Sequence, residues 1–203
     1  MRFERQGRLT MLRSLTILGA VAVGMPAVAV AEPVIYVIDS SHTFPAFEAD
    51  HFAGLSVWRG KVNHTEGTVT LDREARSGTI DVTMDMATID FGLDRMNAEA
   101  REKILHVADF PVATYVGRLT GFENGAPTEI EGTLTLHGVS RDVDLVIEHF
   151  RCQPHFRTQV EVCGAGATAT IDRSEFGLVR DLDLGFRPEV KLLISVEASP
   201  RDN

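Results

Sequence analysis

The chain has 203 residues, and its 29 acidic and 20 basic side chains give a formal net charge of −9. Such an acidic surface repels phosphate backbones and anionic headgroups, which argues against nucleic acid and a charged membrane face as partners. The length suits one domain with a proper hydrophobic core, and we find no internal repeat or linker that would divide it.

Residues 1–31 have the features of a secretory signal peptide: four arginines, then an apolar stretch from Leu15 to Val30 that ends in small residues. The stretch is shorter than the ~20 residues of a spanning helix and contains Pro26, so we expect export and not a membrane anchor. No second apolar span follows. Cleavage after Ala31 would remove four Arg and one Glu and leave one domain, residues 32–203, with 16 basic and 28 acidic residues and a charge of −12.

Beyond the signal peptide, apolar and polar residues alternate with a period of two, which is typical of half-buried β-strands. In residues 79–86, for example, Ile80, Val82 and Met84 fall on one face, and Asp81 falls on the other. The strands predicted in this way are residues 34–39, 66–72, 79–86, 113–122, 129–138, 142–148, 166–172 and 189–198.

One segment breaks the alternation. Residues 93–111 are rich in helix formers, which predicts a helix near residues 94–106, and Pro111 ends it. The chain is therefore predicted to be all-β, with about eight or more antiparallel strands and one inserted helix. Closure into a barrel would remove exposed strand edges and leave room for side chains or one ligand. A two-sheet sandwich has the same sequence signature, and the alternation does not distinguish the two.

Both cysteines of the chain lie in one short segment. Cys152 and Cys163 are flanked by predicted strands, and a hairpin would place them at a spacing that a disulfide accepts. An oxidising compartment favours that disulfide. With His149 and His155 the same cysteines could bind zinc, but the spacing His-x2-Cys-x2-His-x7-Cys matches none of the common ligand patterns. We therefore expect a disulfide and no metal.

Four segments, taken together, resemble the YceI family: YVIDSSHT (36–43), VADFPVATYVG (107–117), LTLHGVSRDVDL (134–145) and ATIDRSEFGL (169–178). The resemblance runs from about residue 34 to residue 198. It implies a lipocalin-like, extended antiparallel eight-stranded barrel in the bacterial periplasm. Its apolar tunnel would hold a polyisoprenoid chain, such as the tail of a quinone or of a prenyl phosphate. Members are soluble carriers or stores, and some occur beside or fused to a cytochrome b561, which makes such a cytochrome a candidate partner.

Aromatic and sulfur-containing side chains concentrate in residues 44–58 and 84–96. On composition alone they could fill an ordinary barrel core. With the family resemblance, some are predicted to line the tunnel instead, and His51 is expected at its mouth, near a polar headgroup. The predicted lining residues are Phe47, Phe52, Trp58, Met86, Ile89, Met96 and Ile104.

Catalytic motifs are missing from the sequence. It contains no Gly-x-Ser-x-Gly, His-Glu-x-x-His or glycine-rich phosphate loop. We therefore expect a binding protein that needs no cofactor beyond its bound lipid. Two alternatives remain open at this point: an enzyme that acts on an isoprenoid lipid, and an interaction or stress protein whose barrel is filled by side chains.

Overall fold

The structure is a computed structural model that describes Met1 and residues 32–201. The rest of the predicted signal peptide and the cleavage site after Ala31 lie outside the described residues. Within these residues, no helix combines the length and the apolar character that crossing a membrane would require.

Twelve strands occur in the described part of the chain. They are β1 Val34–Ile38, β2 Ala46–His51, β3 Ser56–Val62, β4 Thr65–Asp72, β5 Ser77–Asp85, β6 Ile89–Asp90, β7 Val112–Thr120, β8 Glu129–Leu136, β9 Val139–Asp142, β10 Leu145–Pro154, β11 Glu161–Asp172 and β12 Glu189–Pro200. Short 3₁₀ turns cover Met86–Thr88, Arg173–Phe176 and Leu182–Leu184.

Eight of these strands close into an antiparallel barrel. The order around it is β1-β4-β5-β7-β8-β10-β11-β12, and β12 pairs back with β1 through Tyr36↔Pro200 and Ile38↔Ala198. These are the eight strands that the alternation predicts, so the prediction of an eight-stranded antiparallel barrel is confirmed. Because the barrel is closed, the alternative of a two-sheet sandwich is wrong.

A hairpin extends the barrel at one end. The C-terminal part of β12 pairs with β1, whereas its N-terminal part, residues 190–193, pairs with β2. β2 continues into β3, and β3 pairs with the short strand β6. The alternation in the sequence does not predict this hairpin, because β2 is half-buried along its whole length and its burial has no period of two.

The single inserted helix is confirmed, although it is shorter and less regular than predicted. Helix α1 spans Asp94–Glu99, and the chain continues as a π-helix over Ala100–Ile104. Asn97 ties the helix to the barrel, because its side chain accepts a hydrogen bond from the Phe91 N–H and donates one to Asp90 (2.7 and 2.9 Å). The helix is thereby fixed beside β6, at the end of the barrel that the hairpin extends.

The opposite end of the barrel, which we call the disulfide end, is cross-linked. Cys152 and Cys163 are direct partners on β10 and β11 and are bonded to each other. Beside them, the Tyr36 hydroxyl donates a hydrogen bond to the Glu161 carboxylate at 2.6 Å. The Arg73 guanidinium donates to the same carboxylate at 3.3 Å. Tyr36 is fully buried, so this network packs against the barrel interior.

The four residues of the alternative zinc site do not come together. In the described part of the chain, the cluster of metal-ligating atoms at this end comprises Cys152, Glu161 and Cys163, and its two sulfurs are bonded to each other. His149 instead lies over Gly166 on the neighbouring strand. His155 is in the hairpin turn, with its Nδ1 3.1 Å from the Thr158 hydroxyl.

Candidate ligand cavity

The barrel encloses a cavity of about 700 Å³ that is lined by side chains from all eight barrel strands. Pockets that bind small molecules usually measure about 300–1,000 Å³, so the space is of ligand size. The inward-facing residues of β12 illustrate the wall, since Val190, Leu192, Ile194 and Val196 all contribute to it. The alternative of a barrel filled by its own side chains is therefore wrong.

Small residues on β11 leave this space open. The inward positions of β11 next to the disulfide are Cys163, Ala165 and Ala167, and all three lie on the cavity wall. Across the barrel, Ala113 on β7 also lines the cavity. Interior positions of small barrels are usually filled by side chains, and residues of this size cannot fill them. The run of small residues in GAGATAT (164–170) is thus a sequence signal for a cavity, although the prediction did not use it.

Six of the seven predicted lining residues lie on the cavity wall: Phe47, Trp58, Met86, Ile89, Met96 and Ile104. Phe47 owes its position to β3, because its ring lies over Gly60, where a Cβ atom would come within 2.5 Å of the ring. Met86 is the first residue of the 3₁₀ turn after β5, Ile89 follows that turn, and both are buried.

Phe52 is the exception, and its predicted place on the wall is corrected here. Strand β2 ends at His51, and the chain turns through Phe52, Ala53 and Gly54 with φ values of 56°, 55° and 88°. Positive φ is unusual for a bulky side chain and marks a tight turn. Phe52 is 60% exposed, and its ring lies near those of Phe186 (6.4 Å between centroids) and His51 (6.5 Å).

Aromatic rings form a continuous path from the cavity wall to its opening. Phe47 contacts Phe91 edge-on (5.4 Å between centroids), and Phe91 contacts Trp58 (6.1 Å). The His51 ring stacks on Trp58 at 4.2 Å with an angle of 11° between the planes. Phe186 meets His51 edge-on at 5.8 Å. His51 therefore lies at the opening, as predicted, although what it binds remains a prediction.

Charged side chains surround this opening, which we call the mouth, in equal numbers of each sign. Three arginines and three carboxylates line this part of the cavity: Arg95, Arg173, Arg180, Asp50, Glu99 and Asp181. Arg180 pairs with Glu99 at 2.7 Å and with Asp181 at 3.4 Å. The Lys103 ammonium donates a hydrogen bond to Glu99 and, together with Arg180, holds the pKa of that carboxyl below its usual range.

Arg173 organises the loop at the mouth. Its guanidinium donates hydrogen bonds to the carbonyl oxygens of Leu178 (2.6 Å) and Arg180 (2.9 Å). Burial lowers the pKa of this arginine. Arg173, Arg180 and Phe186 were not predicted as site residues, because their positions depend on how residues 173–188 fold back over the barrel. Arg173 could have been identified from the sequence, because it lies in ATIDRSEFGL (169–178), one of the segments that carry the family resemblance.

The deeper wall offers few polar atoms. The Tyr115 hydroxyl donates to the Val143 carbonyl oxygen at 2.8 Å, and burial raises the pKa of this phenol well above its usual range. The Thr43 hydroxyl is bound to the backbone of Glu197. In the described residues, Thr65 Oγ1 is the one buried side-chain oxygen on the wall that has no hydrogen-bond partner. The interior is therefore suited to a long apolar group.

A closed antiparallel barrel around an apolar cavity defines a lipocalin-like class of binding proteins. Solved structures share this fold. A polyisoprenoid binding domain from Saccharophagus degradans superposes with a TM-score of 0.58 at 14% identity, covering 83% of this chain and 99% of that one. The YceI protein of Campylobacter jejuni gives a TM-score of 0.59 at 20% identity, covering 73% of this chain and 88% of that one.

Sequence comparison defines the family more narrowly. Residues 36–198 match the YceI-like domain. Protein YceI of Salmonella arizonae is 31% identical over 161 residues, which are 78% of this chain and 82% of that protein. Protein YceI of Salmonella heidelberg matches with the same identity and coverage. The chain belongs to the YceI-like family.

Proposed function

We propose that this chain is a periplasmic carrier or store of a polyisoprenoid lipid, whose apolar tail occupies the barrel cavity. The observation that carries the proposal is the cavity of about 700 Å³ with an almost entirely apolar wall. The Saccharophagus degradans neighbour, which is described as a polyisoprenoid binding domain, supports the same ligand class.

The physical chemistry of such a ligand fits this wall. An isoprenoid tail offers methyl and methylene groups and almost no hydrogen-bonding atoms, so its site needs apolar area and no catalytic groups. Each buried methylene contributes ~0.8 kcal/mol, so a long tail can bind tightly without polar contacts. A preformed cavity also reduces the cost of ordering the flexible tail.

The mouth favours an uncharged ring as the headgroup of this lipid. Its three arginines are balanced by three carboxylates, whereas a prenyl phosphate would need a net positive site. The His51 and Trp58 rings present aromatic faces at the same place. A quinone therefore fits the mouth better than a prenyl phosphate. Trp58 is the only tryptophan of the chain, so a quinone ring bound there should quench the protein's tryptophan fluorescence.

Localisation and partner belong to the same proposal. The predicted signal peptide supports export to the periplasm. The test is the intact mass of the exported protein, which should correspond to a chain that starts at Glu32. A membrane cytochrome b561 as a partner rests on the family resemblance alone, and no contact in the described residues argues for it.

The decisive experiment is mass spectrometry of an organic extract from protein purified without detergent. A carrier should yield an isoprenoid lipid in a fixed ratio to the protein, and the spectrum identifies its headgroup. Protein that is empty when isolated and takes up neither a quinone nor a prenyl lipid when offered one would contradict the proposal.

Two variants test whether the lipid occupies the cavity. Ala165→Phe places a ring in the open space beside β11 and should reduce the bound lipid severalfold. Met86→Asp places a charge on the apolar wall and should abolish retention in the fraction that folds. Val116→Phe is the matched control, because Val116 is on the outer face of the barrel, 52% exposed, and should leave the lipid content unchanged.

A further inference from the structure

We propose that the mouth of the barrel is also a docking surface for an uncharged or zwitterionic lipid bilayer, from which the ligand is loaded. This inference rests on the proposed function, because it assumes that the ligand comes from a membrane. The surface, which we call the rim, consists of three segments around the mouth: residues 50–59, 91–96 and 178–187.

Contacts between the segments show that they form one surface. Gly54, in the β2–β3 turn, lies against the Arg187 side chain, and Ala53 lies against Gly185. The Arg187 N–H donates a hydrogen bond to Asp50 at 3.0 Å. Phe91 contacts Trp58 (6.1 Å between ring centroids), which joins the segment 91–96 to the segment 50–59.

The rim exposes large apolar side chains. Five of them are more than half exposed: Phe52 (60%), Leu55 (76%), Leu93 (57%), Val179 (58%) and Leu184 (65%). Single exposed apolar residues are ordinary on protein surfaces, but a cluster of this kind usually marks a binding surface. Here the cluster is continuous with the opening of an apolar cavity.

The charge distribution selects the kind of surface that the rim can meet. Each of the three segments is electrically neutral, and together they contain four arginines and four aspartates: Arg59, Arg95, Arg180, Arg187, Asp50, Asp94, Asp181 and Asp183. Residues 32–203 as a whole carry a formal charge of −12, from 16 basic and 28 acidic residues. All of the excess negative charge therefore lies outside the rim, and an anionic surface would repel the rest of the molecule.

A neutral bilayer surface suits this arrangement. Apolar side chains can enter the boundary between headgroups and acyl chains, while the balanced arginines and aspartates of the rim face the zwitterionic headgroups. The repelled acidic body would then face the aqueous side. In this orientation the cavity opens directly onto the membrane, so the isoprenoid tail need not cross water.

The first experiment is flotation of the exported protein with phosphatidylcholine vesicles. The wild type should float with the vesicles, and adding phosphatidylglycerol at low salt should weaken binding because the body is acidic. The double variant Leu55→Glu, Leu184→Glu should bind at least about tenfold more weakly, since two apolar contacts are replaced by charges. Phe156→Glu is the matched control: Phe156 is 76% exposed, like Leu55, but lies in the hairpin turn at the disulfide end. Binding of this control should stay within about twofold of the wild type.

The second experiment separates docking from ligand binding. A quinone with a short, water-soluble tail is titrated in the absence of vesicles, and transfer of a long-tailed quinone from donor vesicles is followed in parallel. The double variant should bind the short-tailed quinone normally and accept the long-tailed one about tenfold more slowly. A wild type that binds neither quinone contradicts the proposed function, whereas flotation still reports on the rim.

Several outcomes would overturn the inference alone. If the wild type binds the short-tailed quinone but does not float with the vesicles, the rim does not dock on a bilayer. The rim is likewise excluded if Phe156→Glu weakens flotation as much as the double variant does. If the wild type forms dimers and Leu55→Glu dissociates them, the rim is an interface between two copies of the chain. Flotation that requires a membrane protein in the vesicles would assign the rim to a protein partner.

Discussion

The two ends of the barrel are held together by different interactions. At the disulfide end, Cys152 and Cys163 cross-link neighbouring strands, and the buried Tyr36 donates a short hydrogen bond to Glu161. At the mouth, the loop is held by hydrogen bonds from Arg173 to backbone carbonyls and by an exposed ion pair between Arg180 and Glu99. The mouth also leaves apolar side chains exposed.

This difference shows how a binding protein can be stable without closing its site. A cross-link far from the cavity opening stabilises the barrel and places no restraint on the loops through which a ligand passes. Segments with few buried contacts and exposed hydrogen bonds open at low free-energy cost. The loop at the mouth has that character, whereas the strands of the disulfide end are joined covalently and pack against the buried Tyr36.

Removing the cross-link should have the largest effect on stability. Replacing Cys152 and Cys163 with Ala should lower the free energy of unfolding by ~2–4 kcal/mol, because the unfolded chain loses a covalent constraint. Denaturant unfolding with and without reductant measures this change. Replacing His149 and His155 with Ala is the control and should change stability by no more than about 0.5 kcal/mol. If both double variants lose the same stability, and if added zinc restores it, the four residues form a metal site.

Replacing Arg173, which holds the loop at the mouth, should have a smaller and more local effect on stability. Arg173→Ala deletes two charge-assisted hydrogen bonds to backbone carbonyls and should cost about 2 kcal/mol, mainly in the loop. Amide hydrogen exchange should become faster in residues 178–187 and stay unchanged in β10 and β11. Arg173→Lys keeps the charge but not the planar fork, so it should restore little protection. Faster exchange across the whole barrel would show that the two ends are not independent.

A single hydrogen bond at the disulfide end should contribute less. Tyr36→Phe removes the hydroxyl that donates to Glu161 and should lower the free energy of unfolding by about 1 kcal/mol, because the partly exposed carboxylate regains water. A double-mutant cycle with Glu161→Gln isolates the interaction. Additive losses in the cycle would mean that the 2.6 Å contact contributes nothing to stability.

The smallest expected effect is a dependence on acid pH. The hydrogen bond from Tyr36, and secondarily the charge of Arg73, hold the pKa of Glu161 below its usual 4.5. The carboxylate therefore adds stability that is complete above about pH 4.5 and is lost as the pH falls through its lowered pKa. Since the side chain is 40% exposed, we expect less than about 1 kcal/mol. Unfolding midpoints of wild type and Glu161→Gln should converge towards acid pH, and a constant difference would contradict this prediction.

The barrel itself could be predicted because its pattern is local. In β5, Ile80 and Val82 are buried and Asp81 is exposed, as alternation requires. Strand β2 could not be found in this way, since all six of its residues are half-buried and show no regular difference in burial. β9 was missed because its four residues were assigned partly to the strand that follows.

The candidate site was predictable to the extent that its residues lie on regular elements. Met86 falls in a predicted strand and Met96 in the predicted helix, and both line the cavity. Phe52 was misplaced because it was grouped with Phe47 and Trp58 by closeness in sequence, whereas the chain turns after His51. Arg180 could not be found, since its position depends on a long-range contact with Glu99 that leaves no local pattern.

The pairing of the first and last strands has a consequence for how this protein folds. β1 and β12 close the barrel through partners such as Tyr36 and Pro200, which lie at opposite ends of the described chain. Contacts at such large sequence separation form late, because the entropy of closing the long loop is lost before they can stabilise the fold. A chain in which β12 has not yet paired with β1 therefore lacks the enclosed interior. A ligand can occupy the cavity only after the barrel has closed, so it cannot act as a template for the fold.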